Sequence, residues 1–280
     1  MRPRLPATAL ALAACLAGCG AGGGDDGPVR VLVTRGFGAE TIAARLVQDP
    51  AGAPSAAALL RRLGLPPRGG RPFVNGIAED PAEPAGVHGG DRVWLDRHAA
   101  AAPAVAAVVG AYPEPFRHGV GGKRLPVVLE CADGHARACE SVAARLRADG
   151  VLALRRTPGT SAGEQTLRLL LGTWHQLRGD PALAQLDRGP AASGVFARFT
   201  HGGRALALLD RAGRAKRTLG AGAGLLAATR FERQAPTWAV TGTDAAGVAA
   251  AAAALGERRL HGRFALALDG ARALALPLAG

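Results

Sequence analysis

Aromatic residues make up only 4% of the 280 residues. That scarcity removes the stacking platforms on which single-stranded nucleic-acid binding depends. Lysine is almost missing too. Lys123 and Lys216 are the only two, so the formal net charge of +12 rests on arginine. The arginines are scattered, with no run longer than a pair such as Arg61-Arg62 or Arg155-Arg156, whereas a nucleic-acid face clusters them. Nucleic acid is therefore not an expected partner, and the excess of Arg, Ala and Gly reads as the codon bias of a GC-rich genome. An anionic membrane or wall polymer stays compatible with the charge. Catalytic signatures are also missing. Ser55, Ser141, Ser161 and Ser193 stand in neither Gly-x-Ser-x-Gly nor Ser-x-x-Lys. The seven histidines lie far apart, without metal-ligand spacing. No enzyme activity, metal or cofactor is expected from these patterns.

Hydrophobic residues reach 48% of the chain, enough to exclude wholesale disorder. The start is organised as a secretory signal peptide: Arg2 and Arg4, an apolar run at 9–17, then the small-residue end Leu16-Ala17-Gly18 before Cys19. The run is too short to span ~30 Å of hydrocarbon. Leu16-Ala17-Gly18-Cys19 resembles the lipobox of bacterial lipoproteins. The resemblance implies cleavage before Cys19, a diacylglycerol thioether on its sulfur and attachment to the outer face of the cell membrane, with 20–28 as a flexible tether. Cys15 leaves with the signal peptide, so Cys131 and Cys139 remain and are expected to form a disulfide in an exported chain. A metal site there would need more ligands than His135 supplies.

After the tether, 29–34 alternates as a half-buried strand, 35–38 turns, and 41–47 returns. Ser55 is placed to cap a helix with Leu59, Leu60 and Leu63 on one face, ended by Gly64 and Pro66-Pro67. Strands at 71–77, with a bend or bulge at Asn75-Gly76, and at 91–96 complete a strand-strand-helix-strand-strand order, that of a β-grasp unit. Val29–Thr34, the Ser55–Leu63 helix, Val74-Asn75-Gly76 and Gly89-Gly90-Asp91-Arg92-Val93-Trp94 resemble the DUF4430 domain, related to the C-terminal domain of transcobalamin and to SLBB-type β-grasp domains. The resemblance covers about a quarter of the chain. It implies a binding role and makes a cobalamin-like ligand, or a transporter partner in its uptake, conceivable. Such domains carry several aromatics ahead of the Val-Asn-Gly strand; here Phe73 stands alone. Phe73, Asn75 and Trp94 are the ligand-binding candidates in this part.

The expected layout is α+β and α/β: signal peptide 1–18, lipidated Cys and tether 19–28, a small β-grasp domain 29–98, a linker or seam 99–110, and a larger mixed α/β domain 111–280. In the latter, strands are expected at 125–130, 151–154, 166–171, 194–199, 204–209, 225–229, 238–240, 264–268 and 273–276. Helices are expected at 140–148 and 244–255, with broken helix over 174–186. Gly220-Ala221-Gly222-Ala223-Gly224 lacks the strand-loop-helix context of a nucleotide fingerprint and reads as a tight backbone crossing. Thr241 and Thr243, with Asp244, end a strand and open a helix, where ligands favour α/β sheets. Capping by Asp244 is the stronger reading there, since its carboxylate repels an anion. Trp174 is a further candidate, though a core anchor is the better account of it. Glu79, Asp80 and Glu83 read as one solvated acidic loop. Together these patterns suggest a non-catalytic, membrane-anchored extracytoplasmic binding protein. The alternatives are an envelope enzyme acting on wall glycan near Trp174 and Asp244, and a structural envelope protein.

Overall fold

The computed structural model describes residues 27–50, 53–98, 103–159 and 163–279. Cys19, the expected signal peptide and most of the expected tether lie outside the described residues. Alternating Val29, Val31 and Val33 make β1 (Val29–Arg35), whose buried valines face the first helix. β2 (Glu40–Val47) folds back on it antiparallel. Ser55 caps α1 (Ala56–Arg62), its hydroxyl accepting from the Ala58 amide at 3.0 Å. The strand expected over 71–77 is instead a hairpin, β3 (Pro72–Val74) and β4 (Ile77–Ala78). Asn75 and Gly76 both take left-handed backbone angles (φ 52° and 80°), the geometry of a two-residue hairpin turn. β5 (Arg92–Arg97) then runs parallel to β1 in the middle of the sheet. The strand order β2-β1-β5-β3-β4 is that of a β-grasp.

The second unit is built on a seven-stranded sheet. β6 (Val127–Cys131), α2 (Ala136–Ala148), β7 (Ala153–Arg156) and β8 (Leu167–Thr173) open it, and β7-β6-β8 are parallel. Helix α2 starts at Ala136, not at 140, because Ala136, Arg137 and Ala138 are good helix formers. The region expected as broken helix holds one turn, α3 (Trp174–Leu177), and a 3-10 turn (Leu183–Arg188). Between them the Asp180 carboxylate accepts from the Ala182 and Leu183 amides. A short α4 (Pro190–Ser193) leads into a three-stranded sheet of β9 (Ala197–Thr200), β10 (Ala205–Leu209) and β11 (Ala215–Leu219). β11 was not expected: Ala-Lys-Arg-Thr-Leu is mostly exposed and carries no apolar alternation.

The chain then returns to the large sheet with β12 (Ala223–Thr229), β13 (Thr237–Gly242), α5 (Ala245–Ala254), α6 (Glu257–Leu260), β14 (Ala265–Asp269) and β15 (Arg272–Leu276). β13 pairs parallel with β8, whereas β12, β14 and β15 add antiparallel strands. β8, β12 and β13 are buried on both faces. Leu169, Leu171, Leu226, Trp238 and Val240 pack under α2 and α5, while Leu170, Leu225, Ala227 and Ala239 face the three-stranded sheet.

The second face of the β-grasp sheet is not open to solvent. Phe73 and Trp94 join Phe264 in the second unit's core, with Trp94 and Phe264 ring centres 5.0 Å apart. Val105 and residues 107–110 are buried in this seam, and Ala107 bridges to Ile77. A Cβ on Gly110 would sit 2.7 Å from both the Trp94 ring and the Arg263 carbonyl oxygen, so the backbone passes at contact distance there.

The Cys131–Cys139 disulfide is formed, tying the end of β6 to the first turn of α2. Its sequence separation is only eight residues. The entropy it withdraws from the unfolded chain is therefore modest, about 2–3 kcal/mol. Urea unfolding with and without dithiothreitol should show a loss of that size. A loss below ~1 kcal/mol would mean that α2 keeps its first turn unaided.

Candidate functional site

A cavity of about 650 Å³ opens at the end of the β-grasp sheet, between α1, the loop ahead of β3, the end of β5 and residues 103–105. Its volume falls within the roughly 300–1,000 Å³ of small-molecule sites. Pro67, Pro72, Pro81, Pro84 and Pro103 line it together with the edge of Phe73. Proline walls are stiff and apolar, and a ligand landing on them orders little side-chain entropy. The polar side chains are Ser55 at the cap of α1, Arg61 from its last turn, Arg71 just before β3, Glu79 after β4, and His98 just after β5.

His98 is held from behind. Its Nδ1 lies 3.0 Å from the Asp96 carboxylate, and its ring stacks on Phe37 with centroids 4.5 Å apart. Residues two apart on an extended strand share a face, which sets Asp96 and His98 side by side. Asp96 is fully buried. Its carboxylate also accepts from the Thr34 hydroxyl at 2.5 Å and from the Phe37 and Gly38 amides at 2.8 Å each. Burial opposes its charge, but the hydrogen bonds from His98, Thr34, Gly38 and Phe37 outweigh it and hold the carboxyl below its ordinary range. The Thr34 hydroxyl accepts in turn from Trp94 Nε1 at 2.9 Å.

Glu79 departs from the solvated-loop reading. It is buried, and its two oxygens accept from the Ala56 and Ala57 amides at the start of α1, at 2.7 and 3.1 Å. Asp80 and Glu83 are exposed. The loop splits because α1 presents unpaired amides to Glu79 alone, and a carboxylate at a helix start is favoured.

The other sequence candidates fall in several places. Phe73 lines the cavity but is only 2% exposed, and Trp94 lies behind it, ring centres 5.7 Å apart. Asn75 is a fastener inside the protein. Its Nδ2 donates to Asp91 at 2.7 Å and to the Gly119 carbonyl at 3.0 Å, while its Oδ1 accepts from the Arg92 amide. It thus ties both β-grasp strands to the second unit. Trp174 lies under Phe199 in a parallel stack 4.6 Å apart, beside a shallower cavity of about 370 Å³ bearing Arg178, Arg198 and His201. Thr241 is fully buried and its hydroxyl oxygen has no partner among the described residues.

Asp244 caps α5 through the Gly247 amide at 2.9 Å and holds the Gly222 amide at 2.7 Å, and Thr243 fastens the same turn through Gly220 and Ala223. Both groups are thus engaged within the fold. Only Phe73 among these candidates reaches the large cavity. Sequence reading missed Arg61, Arg71, Glu79 and His98. The one signal available was Asp96-x-His98 at the end of a strand, an acid and an imidazole two residues apart. No metal-holding group of three or more His, Cys, Asp or Glu occurs among the described residues. Comparison of the chain with models of known protein families, with characterised proteins and with solved structures finds no match.

Proposed function

We propose that this chain is an exported lipoprotein, anchored to the outer face of the cell membrane through a lipid on Cys19, that binds a small molecule without transforming it. The observation that carries the binding reading is the proline-walled cavity of about 650 Å³ with its basic groups. The Leu-Ala-Gly-Cys order at residues 16–19 and the Gly/Asp tether after it support the anchor. In this reading the β-grasp unit holds the ligand near the membrane, and the second unit braces the sheet from behind and offers surface to a transporter partner. A cobalamin-like ligand is the first to try, because the Val-Asn-Gly and Gly-Gly-Asp strands resemble domains of that kind. Against it stands the single aromatic edge at Phe73, where a corrinoid would meet a broader stacking surface.

Two measurements test this. Cells expressing the full chain and fed labelled palmitate should label the protein, and Cys19→Ala should abolish the label. An unlabelled wild type would remove the anchor. Calorimetric titration of the mature protein with aquocobalamin should give saturable heat at micromolar concentrations, weakened at least tenfold when Pro72→Arg fills the cavity. Flat heat would remove the corrinoid and leave the cavity for other ligands.

A further inference from the structure

The charges around the large cavity are unequally free. Glu79 is its one acidic lining residue, and both of its oxygens are taken by the Ala56 and Ala57 amides. His98 is turned by its Nδ1 contact to buried Asp96. Arg61 and Arg71 are exposed, and neither guanidinium makes an ion pair or hydrogen bond among the described residues. Other arginines are engaged, as Arg168 is with Glu130 and Asp180, Arg217 with Asp269 and Arg92 with Glu257. Two guanidiniums without an ion pair among the described residues, set against one carboxylate already held by amides, give the lining of this cavity an excess of positive charge.

From this we infer that the cavity takes an organic anion: an apolar plate or short chain seated on the prolines, carrying a carboxylate or phosphate that Arg61 and Arg71 receive. The inference rests on the binding reading above and narrows it to a ligand class. Guanidinium and oxyanion match in geometry, two parallel N–H donors to two oxygens. The apolar body accounts for the proline part of the wall, which offers no side-chain polar partner to a hydrophilic solute. The imidazole of His98 adds a third nitrogen on the same lining.

The test uses three probes of one shape and different charge: naphthalene-2-carboxylate, 2-naphthylmethanol and 2-naphthylmethylamine, titrated calorimetrically into the mature protein at pH 7. The carboxylate should bind about tenfold or more tighter than the alcohol, and the amine weakest, since a charge-assisted pair is worth about a tenfold factor or more. The double variant Arg61→Gln/Arg71→Gln changes only exposed side chains. It should bring the carboxylate down to the alcohol's affinity and leave the alcohol unchanged, while Arg198→Gln at the other cavity changes neither. Added salt should weaken the carboxylate alone. Equal affinity for all three probes, or a preference for the amine, overturns the anion class while the binding reading stands. Binding of none of the three overturns both.

Discussion

Asp96→Ala is expected to lower folding stability by about 3–5 kcal/mol, because removing one member of a buried charged network strands the groups that faced it. Four donors converge on this carboxylate: the Thr34 hydroxyl, the Phe37 and Gly38 amides and His98 Nδ1. Alanine leaves all four without their acceptor, the Thr34 hydroxyl and the Phe37 amide in the buried interior. Each unmet buried donor costs roughly 1–3 kcal/mol before the site relaxes. Asp96→Asn keeps the shape and one acceptor oxygen, so its loss should be smaller, about 2 kcal/mol. Urea titration at pH 7 measures both. The sign of the pH dependence follows from the depressed folded pKa of Asp96. A carboxyl lowered by folding contributes its stability above the unfolded value, about 3.9. That contribution is lost as pH falls below this value toward the folded pKa. Wild type should therefore lose stability below about pH 4, and Asp96→Asn should lose less of it over that window. An alanine variant within ~1 kcal/mol of wild type would show the network to be loose and His98 unsupported.

That network marks the boundary of what could be read from the amino-acid order. Elements whose burial follows a local period were legible: β1 from Val29, Val31 and Val33, α1 from Ser55 and its leucines, and the doubly buried strands from near-continuous apolar runs such as 166–171. β11 was illegible because an exposed strand on a small outer sheet carries no apolar period, with Ala215, Lys216 and Thr218 exposed. The site was illegible for a different reason. Glu79 looks solvated among prolines and alanines until the fold brings the first amides of α1 against it. Arg61 and Arg71 look like ordinary surface arginines, and what distinguishes them, their place together on the lining of one cavity, is a property of the tertiary arrangement. The aromatics chosen as ligand contacts were instead spent on the core, as the low aromatic content makes economical. Phe73, Trp94, Phe37 and Phe264 form one connected cluster that joins the two units.

Gly247→Ala should destabilise the protein by about 3 kcal/mol or more, although the same change in an exposed helix would stabilise it by about 1 kcal/mol. The two effects have opposite sign, and geometry decides between them. A Cβ on Gly247 would lie 2.1 Å from the Ala223 carbonyl oxygen and 3.2 Å from Gly242 Cα. The contact is reciprocal: a Cβ on Gly242 would sit 2.5 Å from the Gly247 carbonyl carbon, and one on Gly224 would sit 2.5 Å from the Gly247 oxygen. Gly224 and Gly242 are direct partners across β12 and β13, so the three glycines let α5 rest on the sheet backbone to backbone. No rotamer relieves a clash with a carbonyl; α5 must lift. Lifting it would part Val248, Ala251 and Ala252 from Leu226, Trp238 and Val240 beneath. Dispersion between packed surfaces falls off within an ångström, so the loss extends along the helix. The contrasting variant is Ala249→Gly, on the exposed side of the same helix, which should cost only the helix propensity, about 1 kcal/mol. Chemical denaturation of the pair gives the comparison. A Gly247→Ala protein as stable as wild type would mean that α5 rides higher on the sheet, and that the Gly220–Gly224 turn held by Asp244 does not fix its height.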